Sequence, residues 1–178
     1  MTIYPRHLKI YCDFIYIYMI HYVFDLDDTL ILHKNQIYTS LFMYDWIQED
    51  KELSYALDRC KGEKYIYTNG TLGHAIGIIE KMNIRDKFIK VYSRDTIEYM
   101  KPRLESFRDV HNDISHKDIQ PKVIFFFDDR LENLRTASQM GWYTIWIHPN
   151  YSLQHMYNYV NLAFGNIKDA LSFLEKTV

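Results

Sequence analysis

The stretch Phe24-Asp25-Leu26-Asp27-Asp28-Thr29-Leu30 sets three carboxylates directly after an apolar run, residues 15–23. A β-branched and aromatic run of this kind is typical of a buried strand. A strand that ends in clustered carboxylates places them at the carboxyl edge of a sheet, where open α/β folds bind ligands. Because neighbouring anions repel, the cluster needs a cation, a proton or solvent to stabilise it. An isolated Asp-x-Asp is equally well explained by a solvated turn, so its interpretation depends on the rest of the chain.

The composition is typical of one globular domain. The chain has 178 residues, of which 48% are hydrophobic and 25% charged, which predicts a single domain over residues 1–178 with a sizeable core. A formal net charge of −2 gives no general attraction to nucleic acid or to an anionic membrane. Cys12 and Cys60 match no metal spacing, so we expect reduced, buried thiols and a cytoplasmic location. The sequence leaves the oligomeric state open, a homo-oligomer included.

The N-terminal run, residues 8–24, is apolar enough to raise the question of a membrane segment. Asp13 and His21 interrupt it, no small-residue cleavage site follows, and it leads directly into the acidic stretch. We therefore predict a strand with an N-terminal extension, and neither a signal peptide nor a spanning helix. Met19 is an alternative start, which leaves residues 1–18 as an extension without an assigned role.

Strand and helix patterns alternate along the rest of the chain. Strands are predicted at residues 64–67, 89–92, 123–127 and 143–147. Helices are predicted at residues 41–60, 72–82, 102–110, 131–140 and 166–176. We expect Gly62 to be a C-cap, Pro102 to open its helix and Asn166 to be an N-cap. The alternation predicts an α/β fold, with a parallel sheet covered by helices on both faces.

Further polar signals fall at the same edge of the predicted sheet. Thr68-Asn69-Gly70 follows the strand at residues 64–67, a pattern that can cradle a phosphate at the start of the next helix. Lys101 stands just before a helix, and Asp128-Asp129 follows the apolar strand at residues 123–127. Singly, these signals are better explained by a turn with a helix cap or by a solvated lysine. Their shared position favours a functional site.

The chemistry of this edge predicts phosphoryl transfer. Four carboxylates would surround one point, those of Asp25, Asp27, Asp128 and Asp129. Oxygen ligands without His or Cys suit Mg²⁺, which also binds substrate phosphate. Thr68 and Asn69 can hold phosphoryl oxygens, and the compact charge of Lys101 can balance carboxylate and phosphate together. Positioning and charge neutralisation supply most of the catalysis in such reactions.

Two of the carboxylates suit covalent catalysis. Asp25 ends the strand and is therefore the more rigidly held nucleophile, able to form an aspartyl-phosphate. Asp27, two residues on, can protonate the leaving oxygen and later activate water.

The ordered motifs Asp-Leu-Asp-Asp-Thr, Thr-Asn-Gly, Lys-Pro and Asp-Asp resemble the haloacid dehalogenase (HAD) superfamily of phosphatases. They span residues 23–147. The resemblance implies a three-layer, Rossmann-like fold and a Mg²⁺-dependent phosphomonoester hydrolase that works through an aspartyl-phosphate. It implies Asp25 as nucleophile, Asp27 as general acid/base and Lys101 as charge balance. The implied phosphate-binding residues are Thr68, Asn69 and Gly70, and the implied metal ligands are Asp25, the Asp27 carbonyl and Asp129, with Asp128 assisting.

Within this superfamily, several stretches look like the pyrimidine 5′-nucleotidase group. They are residues 65–70, His74-Ala75-Ile76, residues 126–129 with Asn133, and Met140-Gly141. Those nucleotidases carry a helical cap domain between the first motif and the threonine motif. Here residues 30–67 leave room for one scaffold helix and a loop, so the chain looks capless or minimally capped. We therefore expect the substrate to be either a nucleotide or a macromolecular phosphate end that can seal the site itself.

Two other classes of protein remain as alternatives. A signalling receiver domain also uses paired Asp, Thr and Lys, but its phospho-accepting Asp ends a strand, whereas Asp45, Asp50 and Asp58 lie on helical pattern. A catalytically silent binding or regulatory module on the same fold is the second alternative, although no motif residue is missing. Hydrolysis of p-nitrophenyl phosphate with Mg²⁺ would separate the enzyme from both.

Overall fold

A six-stranded parallel sheet forms the centre of the computed structural model, which describes residues 19–32, 44–115 and 122–178. The strands are β1 Met19–Phe24, β2 Glu63–Tyr67, β3 Lys90–Tyr92, β4 Lys122–Asp128, β5 Tyr143–Ile147 and β6 Leu162–Phe164. Their spatial order is β3-β2-β1-β4-β5-β6, and each described pairing is parallel. This is the Rossmann order, whose switch point lies between β1 and β4. The predicted α/β fold is confirmed.

Helices cover both faces of the sheet and make three layers. They are α1 Lys51–Arg59, α2 Leu72–Lys81, α3 Leu104–Ser115, α4 Leu131–Gln139 and α5 Ile167–Thr177, with short 3₁₀ helices at Arg85–Lys87 and Tyr151–Met156. Buried residues of α1, α2 and α5 share one hydrophobic cluster, and those of α3 and α4 share another. The two clusters lie on opposite faces because successive strand residues point to opposite sides.

The two central strands fill both clusters with large side chains. On β1, Phe24 belongs to the α1/α2/α5 cluster and Val23 to the α3/α4 cluster. On β4, Phe127 and Phe126 divide in the same way, and the Phe24 and Phe127 rings stack with centroids 4.6 Å apart. The Asp25 amide, directly after β1, donates to the Phe127 carbonyl at 2.8 Å. This hydrogen bond fixes the start of the acidic stretch against β4.

The prediction of a helix over residues 41–60 is wrong in its extent, because α1 begins at Lys51. The Asp50 side chain accepts from the Leu53 amide and caps the helix there, although the apolar periodicity continues on the N-terminal side. Residues 44–46 form a turn, and residues 41–43 lie outside the described residues.

Gly62 is not the C-cap of this helix, since Cys60 takes that position. Gly62 has φ +143°, and a Cβ there would overlap the backbone carbonyl of Ile20 on β1. The glycine is therefore required by the close approach of the turn before β2 to the neighbouring strand.

Two further boundaries differ from the predictions. The helix expected to start at Pro102 begins at Leu104, because residues 101–102 form a turn and the Arg103 amide closes onto the Met100 carbonyl at 3.0 Å. Strand β6 was not predicted, and it extends the sheet by pairing with β5. The final helix, by contrast, agrees closely: Asn166 caps α5 by accepting from the Asp169 amide.

The N-terminal predictions are tested from residue 19 onward. Met19–Phe24 is a strand, as expected, whereas the predictions for residues 1–18 and for Cys12 lie outside the described residues. Cys60 is a free, buried thiol. Among the described helices, none has the length and apolar character needed to cross a bilayer.

Candidate active site

Three carboxyl groups meet at the switch point of the sheet. Asp25 follows β1, Asp128 ends β4 and Asp129 comes next, and one oxygen from each lies within 4.8 Å of the other two. Asp25 is 8% exposed and Asp128 is fully buried. Burial, opposed by the Lys101 ammonium, raises the pKa of Asp25 to about 7. Burial, together with the Asp128 charge, raises the pKa of Asp129 to about 6.

The Lys101 ammonium bridges two of these carboxylates. Its Nζ lies 2.7 Å from Asp25 Oδ1 and 2.7 Å from Asp128 Oδ2. The residue is 4% exposed, and Nζ stands 5.0 Å from the Tyr67 ring centroid and 5.5 Å from that of Phe126. Burial disfavours the charged amine, but Asp128 and Asp25 outweigh it and raise the pKa of Lys101 above its usual value. Lys101 is therefore a fixed positive charge at the site.

Asn69 holds the backbone of Lys101. Its Nδ2 donates to the Lys101 carbonyl at 2.9 Å, and its Oδ1 accepts from the Lys101 amide at 3.0 Å. This pair of hydrogen bonds joins the loop after β2 to the turn before α3. The side chain thus positions Lys101, and its predicted contact with phosphate stays a prediction.

Three hydrogen-bond donors hold the Asp128 carboxylate in place. Its Oδ1 accepts from the Arg130 amide at 2.9 Å and from Asn133 Nδ2 at 2.9 Å, while Oδ2 accepts from Lys101. With its oxygens used in this way, Asp128 is better suited to orient Lys101 than to bind a metal ion directly. Thr29 supports Asp25 in a weaker way, with Oγ1 3.3 Å from Asp25 Oδ2.

The Thr68–Gly70 loop lies between β2 and the N-terminus of α2. Thr68 is buried, and its Oγ1 accepts from the Gly70 amide at 2.9 Å. Asp95, from the loop after β3, accepts from the Leu72 amide at 2.9 Å and so occupies one of the first amides of the helix. The loop is therefore preorganised, and its predicted role in phosphate binding stays a prediction.

Asp27 lies outside the three-carboxylate cluster and contacts a histidine instead. His74 Nε2 is 2.9 Å from Asp27 Oδ1 and 3.2 Å from Oδ2, and Tyr44 Oη is 2.9 Å from His74 Nδ1. The hydrogen bond to Asp27 raises the pKa of His74, against the effect of burial. No role was predicted for His74 or Tyr44. The sequence signals for His74 were slight: it belongs to a nucleotidase-like stretch, and it lies in the first turn of the helix that follows the Thr68–Gly70 loop.

The chain has an α/β fold with a parallel sheet in Rossmann order, acidic residues at the carboxyl ends of its first and fourth strands, and a lysine between them. Solved structures of HAD proteins are similar to it. A beta-phosphoglucomutase described as putative, from Thermotoga maritima, superposes with a TM-score of 0.65 at 12% identity, over 90% of this chain and 100% of the other. A HAD-superfamily hydrolase from Ehrlichia chaffeensis gives 0.58 at 15% identity, over 88% and 96%.

The same fold also occurs in a dehalogenase. L-2-haloacid dehalogenase from Xanthobacter autotrophicus gives a TM-score of 0.58 at 12% identity, over 77% of this chain and 65% of the dehalogenase. The chain thus spans less than two-thirds of that enzyme. No protein-family model and no curated protein matches the chain. At these identities the likeness establishes the fold, and the resemblance to the nucleotidase group is not confirmed.

Proposed function

We propose that this protein is a Mg²⁺-dependent phosphomonoester hydrolase that forms an aspartyl-phosphate on Asp25. One observation carries the proposal: three carboxylates lie within 4.8 Å of one another at the sheet's switch point, with the Lys101 ammonium 2.7 Å from two of them. Burying several carboxylates beside one ammonium costs free energy, which a bound cation would offset. Charge clusters of this kind are typical of functional sites.

The donor set fits Mg²⁺. The cluster offers carboxylate oxygens and neither sulfur nor imidazole, which suits a hard cation. Asp25 and Asp129, with the Asp27 carbonyl, would hold the ion, and Asp128 would assist through its contact with Lys101. When bound, Mg²⁺ would neutralise charge on the phosphoryl oxygens.

The remaining chemistry falls to the chain's own residues. A carboxylate oxygen of Asp25 attacks phosphorus, and the bond from phosphorus to the leaving oxygen breaks. Asp27 gives its proton to that oxygen, then takes a proton from the water that hydrolyses the aspartyl-phosphate. Lys101 keeps Asp25 oriented, and the loop of Thr68 and Gly70 would hold phosphoryl oxygens as they move.

Asp27 and the acidic cluster favour phosphate over halide chemistry. Displacement of a halide by a carboxylate releases a stable anion that needs no proton. An alkoxide leaving group, in contrast, needs a proton from a general acid. A general acid two residues after the nucleophile therefore suits a phosphate ester. The cation that three clustered carboxylates require also suits an anionic phosphoryl group.

The proposed substrate class depends on how the site is covered. In the described parts of the β1–β2 connection, residues 25–32 and 44–62, the only helix is α1, which packs on the sheet. We propose that the substrate is a nucleotide or a macromolecular phosphate end, and that larger substrates are favoured because they exclude water from the edge themselves.

The test compares wild type, Asp25→Asn and a matched control, Asp86→Asn, an aspartate with 73% of its side chain exposed. Phosphate release from p-nitrophenyl phosphate and chloride release from 2-chloropropionate are measured with and without Mg²⁺. We expect Mg²⁺-dependent phosphate release by wild type and the control, and none by Asp25→Asn. Chloride release alone would identify a dehalogenase. A folded wild type inactive on both would indicate a silent binding module.

A further inference from the structure

A histidine contacts the Asp27 carboxylate, and a tyrosine contacts that histidine from the other side of its ring. His74 lies on α2, and Tyr44 lies before α1. Their contacts form a chain from the Tyr44 hydroxyl to His74 Nδ1, at 2.9 Å, and from His74 Nε2 to both Asp27 oxygens, at 2.9 and 3.2 Å. The sequence separations of 30 and 47 residues show that the fold, rather than local geometry, brings these groups together.

Two glycines make room for these rings. A Cβ on Gly70 would lie 2.9 Å from His74 Cδ2, and a Cβ on Gly77 would lie 3.4 Å from Tyr44 Cε2. The imidazole is thus packed directly against the Thr68–Gly70 loop, and the phenol against the next turn of α2. His74 keeps 24% of its side chain exposed and Asp27 35%, so the contact lies beside the site and not in the core.

Hydrogen-bonding capacity gives the chain a direction. An Asp27 carboxylate can only accept, so Nε2 carries a proton and donates. When Asp27 is protonated as the general acid, its other oxygen can still accept this hydrogen bond. In the neutral imidazole, Nδ1 then accepts from the Tyr44 hydroxyl, which favours the tautomer that serves Asp27. Because one nitrogen lies within reach of both carboxylate oxygens, the rotation of the carboxyl group is restrained.

We propose that His74, oriented by Tyr44, is a positioning residue that holds the Asp27 carboxyl group in place for proton transfer to the leaving oxygen. This inference rests on the proposed function, in which Asp27 is the general acid. Proton transfer requires one geometry of the carboxyl group, and the contact of His74 Nε2 with both oxygens restrains that geometry directly. The positioning effect must therefore be greatest where the leaving group needs a proton most.

The experiment compares two substrates of similar size, phenyl phosphate and p-nitrophenyl phosphate. Phenolate is the more basic leaving group and depends more on the general acid. The kcat/KM values of both esters are measured with Mg²⁺ for wild type and for the variants Asp27→Asn, His74→Ala, His74→Gln and Tyr44→Phe. The control is His155→Ala, an exposed histidine on the 3₁₀ helix Tyr151–Met156. Thermal melts verify that each variant folds.

We expect Asp27→Asn to lower kcat/KM for phenyl phosphate by about 100-fold or more, within the usual range for general acid catalysis. We expect His74→Ala to lower it by about 10-fold, with a change below about 3-fold for p-nitrophenyl phosphate. His74→Gln, which keeps an N–H donor, should recover most of the loss, and Tyr44→Phe should show a smaller selective loss.

Three outcomes would overturn the inference alone: equal losses on both esters, no rescue by His74→Gln, or no effect of His74→Ala while Asp27→Asn shows the selective loss. A wild type inactive on both esters would instead overturn the proposed function, and this inference with it.

Discussion

Removal of the Lys101 ammonium is the most direct perturbation of the candidate site. We consider Lys101→Met, which keeps an unbranched side chain one heavy atom shorter and removes the charge. Nζ is 2.7 Å from Asp25 and 2.7 Å from Asp128, and both carboxylates are nearly or fully buried. Loss of one partner from a buried ion pair costs about 3–5 kcal/mol, because the other charge is left unpaired. For a chain of 178 residues this lowers the melting temperature by roughly 6–20 °C.

The cost should depend on pH. In the wild type, Lys101 opposes the rise in the pKa of Asp25 to about 7, so without the ammonium the folded-state pKa rises further. A folded variant can then relieve the repulsion by binding a proton that the unfolded chain, with its lower pKa, releases. The loss of stability should accordingly be small at pH 5.5 and reach its full size at pH 8.

Urea denaturation in EDTA at both pH values measures this loss. Lys81→Met is the matched control, since it also removes one positive charge, but from a side chain that is 50% exposed and 3.5 Å from Asp45. We expect the control to lose less than about 1 kcal/mol at either pH. If Lys101→Met lost under about 1 kcal/mol at pH 8, or lost equally at both pH values, Lys101 would not be the partner of these carboxylates.

Three more predictions follow from the site and the fold. Burial raises the pKa of Asp25 to about 7 and that of Asp129 to about 6. Without metal, the contribution of these two groups to the free energy of unfolding therefore falls as pH rises through these values. Since protons compete with the cation, MgCl₂ should raise the melting temperature more at pH 8 than at pH 5.5, and a pH-independent rise would contradict this site. Gly62→Ala should cost about 2 kcal/mol or more in urea denaturation because a Cβ would meet the Ile20 carbonyl, whereas Gly73→Ala, with open space around it, should change stability by under about 1 kcal/mol. In a phosphatase screen, the best macromolecular substrate should exceed a free mononucleotide by at least about 10-fold in kcat/KM, roughly 1.4 kcal/mol, and a sharp preference for one free nucleotide would refute the argument about site covering.

The sequence was most informative where a local pattern and its neighbours agreed. The apolar run before Asp25 and that before Asp128 predicted two buried strands, and the structure pairs them side by side as β1 and β4. Asn166 was a clear helix cap because its side chain needs only the next turn. In contrast, β6 has three residues and no repeated pattern, so its pairing with β5 could be found only in the folded chain.

The contacts that sequence reasoning missed are those between distant elements. Asn69 was predicted to face phosphate because it follows a strand, and its position gave no sign that its amide would also pair with the backbone of Lys101, 32 residues away. His74 has the pattern of any polar residue on a helix, and the sequence does not show that its ring lies against Gly70 and a phenol from outside α2. Position along the chain predicts which residues reach the carboxyl edge of the sheet. Which of them pair with one another depends on how the strands, helices and loops pack in the folded chain.

The charge at the switch point connects these observations to the proposed chemistry. When ionised, the three carboxylates outnumber the single ammonium of Lys101, and burial makes that excess costly. Without a cation, the site lowers the cost by binding protons, which is the meaning of the raised pKa values of Asp25 and Asp129. A phosphate dianion would add to the excess, and Lys101 is already shared between Asp25 and Asp128. A divalent cation offsets both charges, so metal and phosphate should bind this site more tightly together than either binds alone.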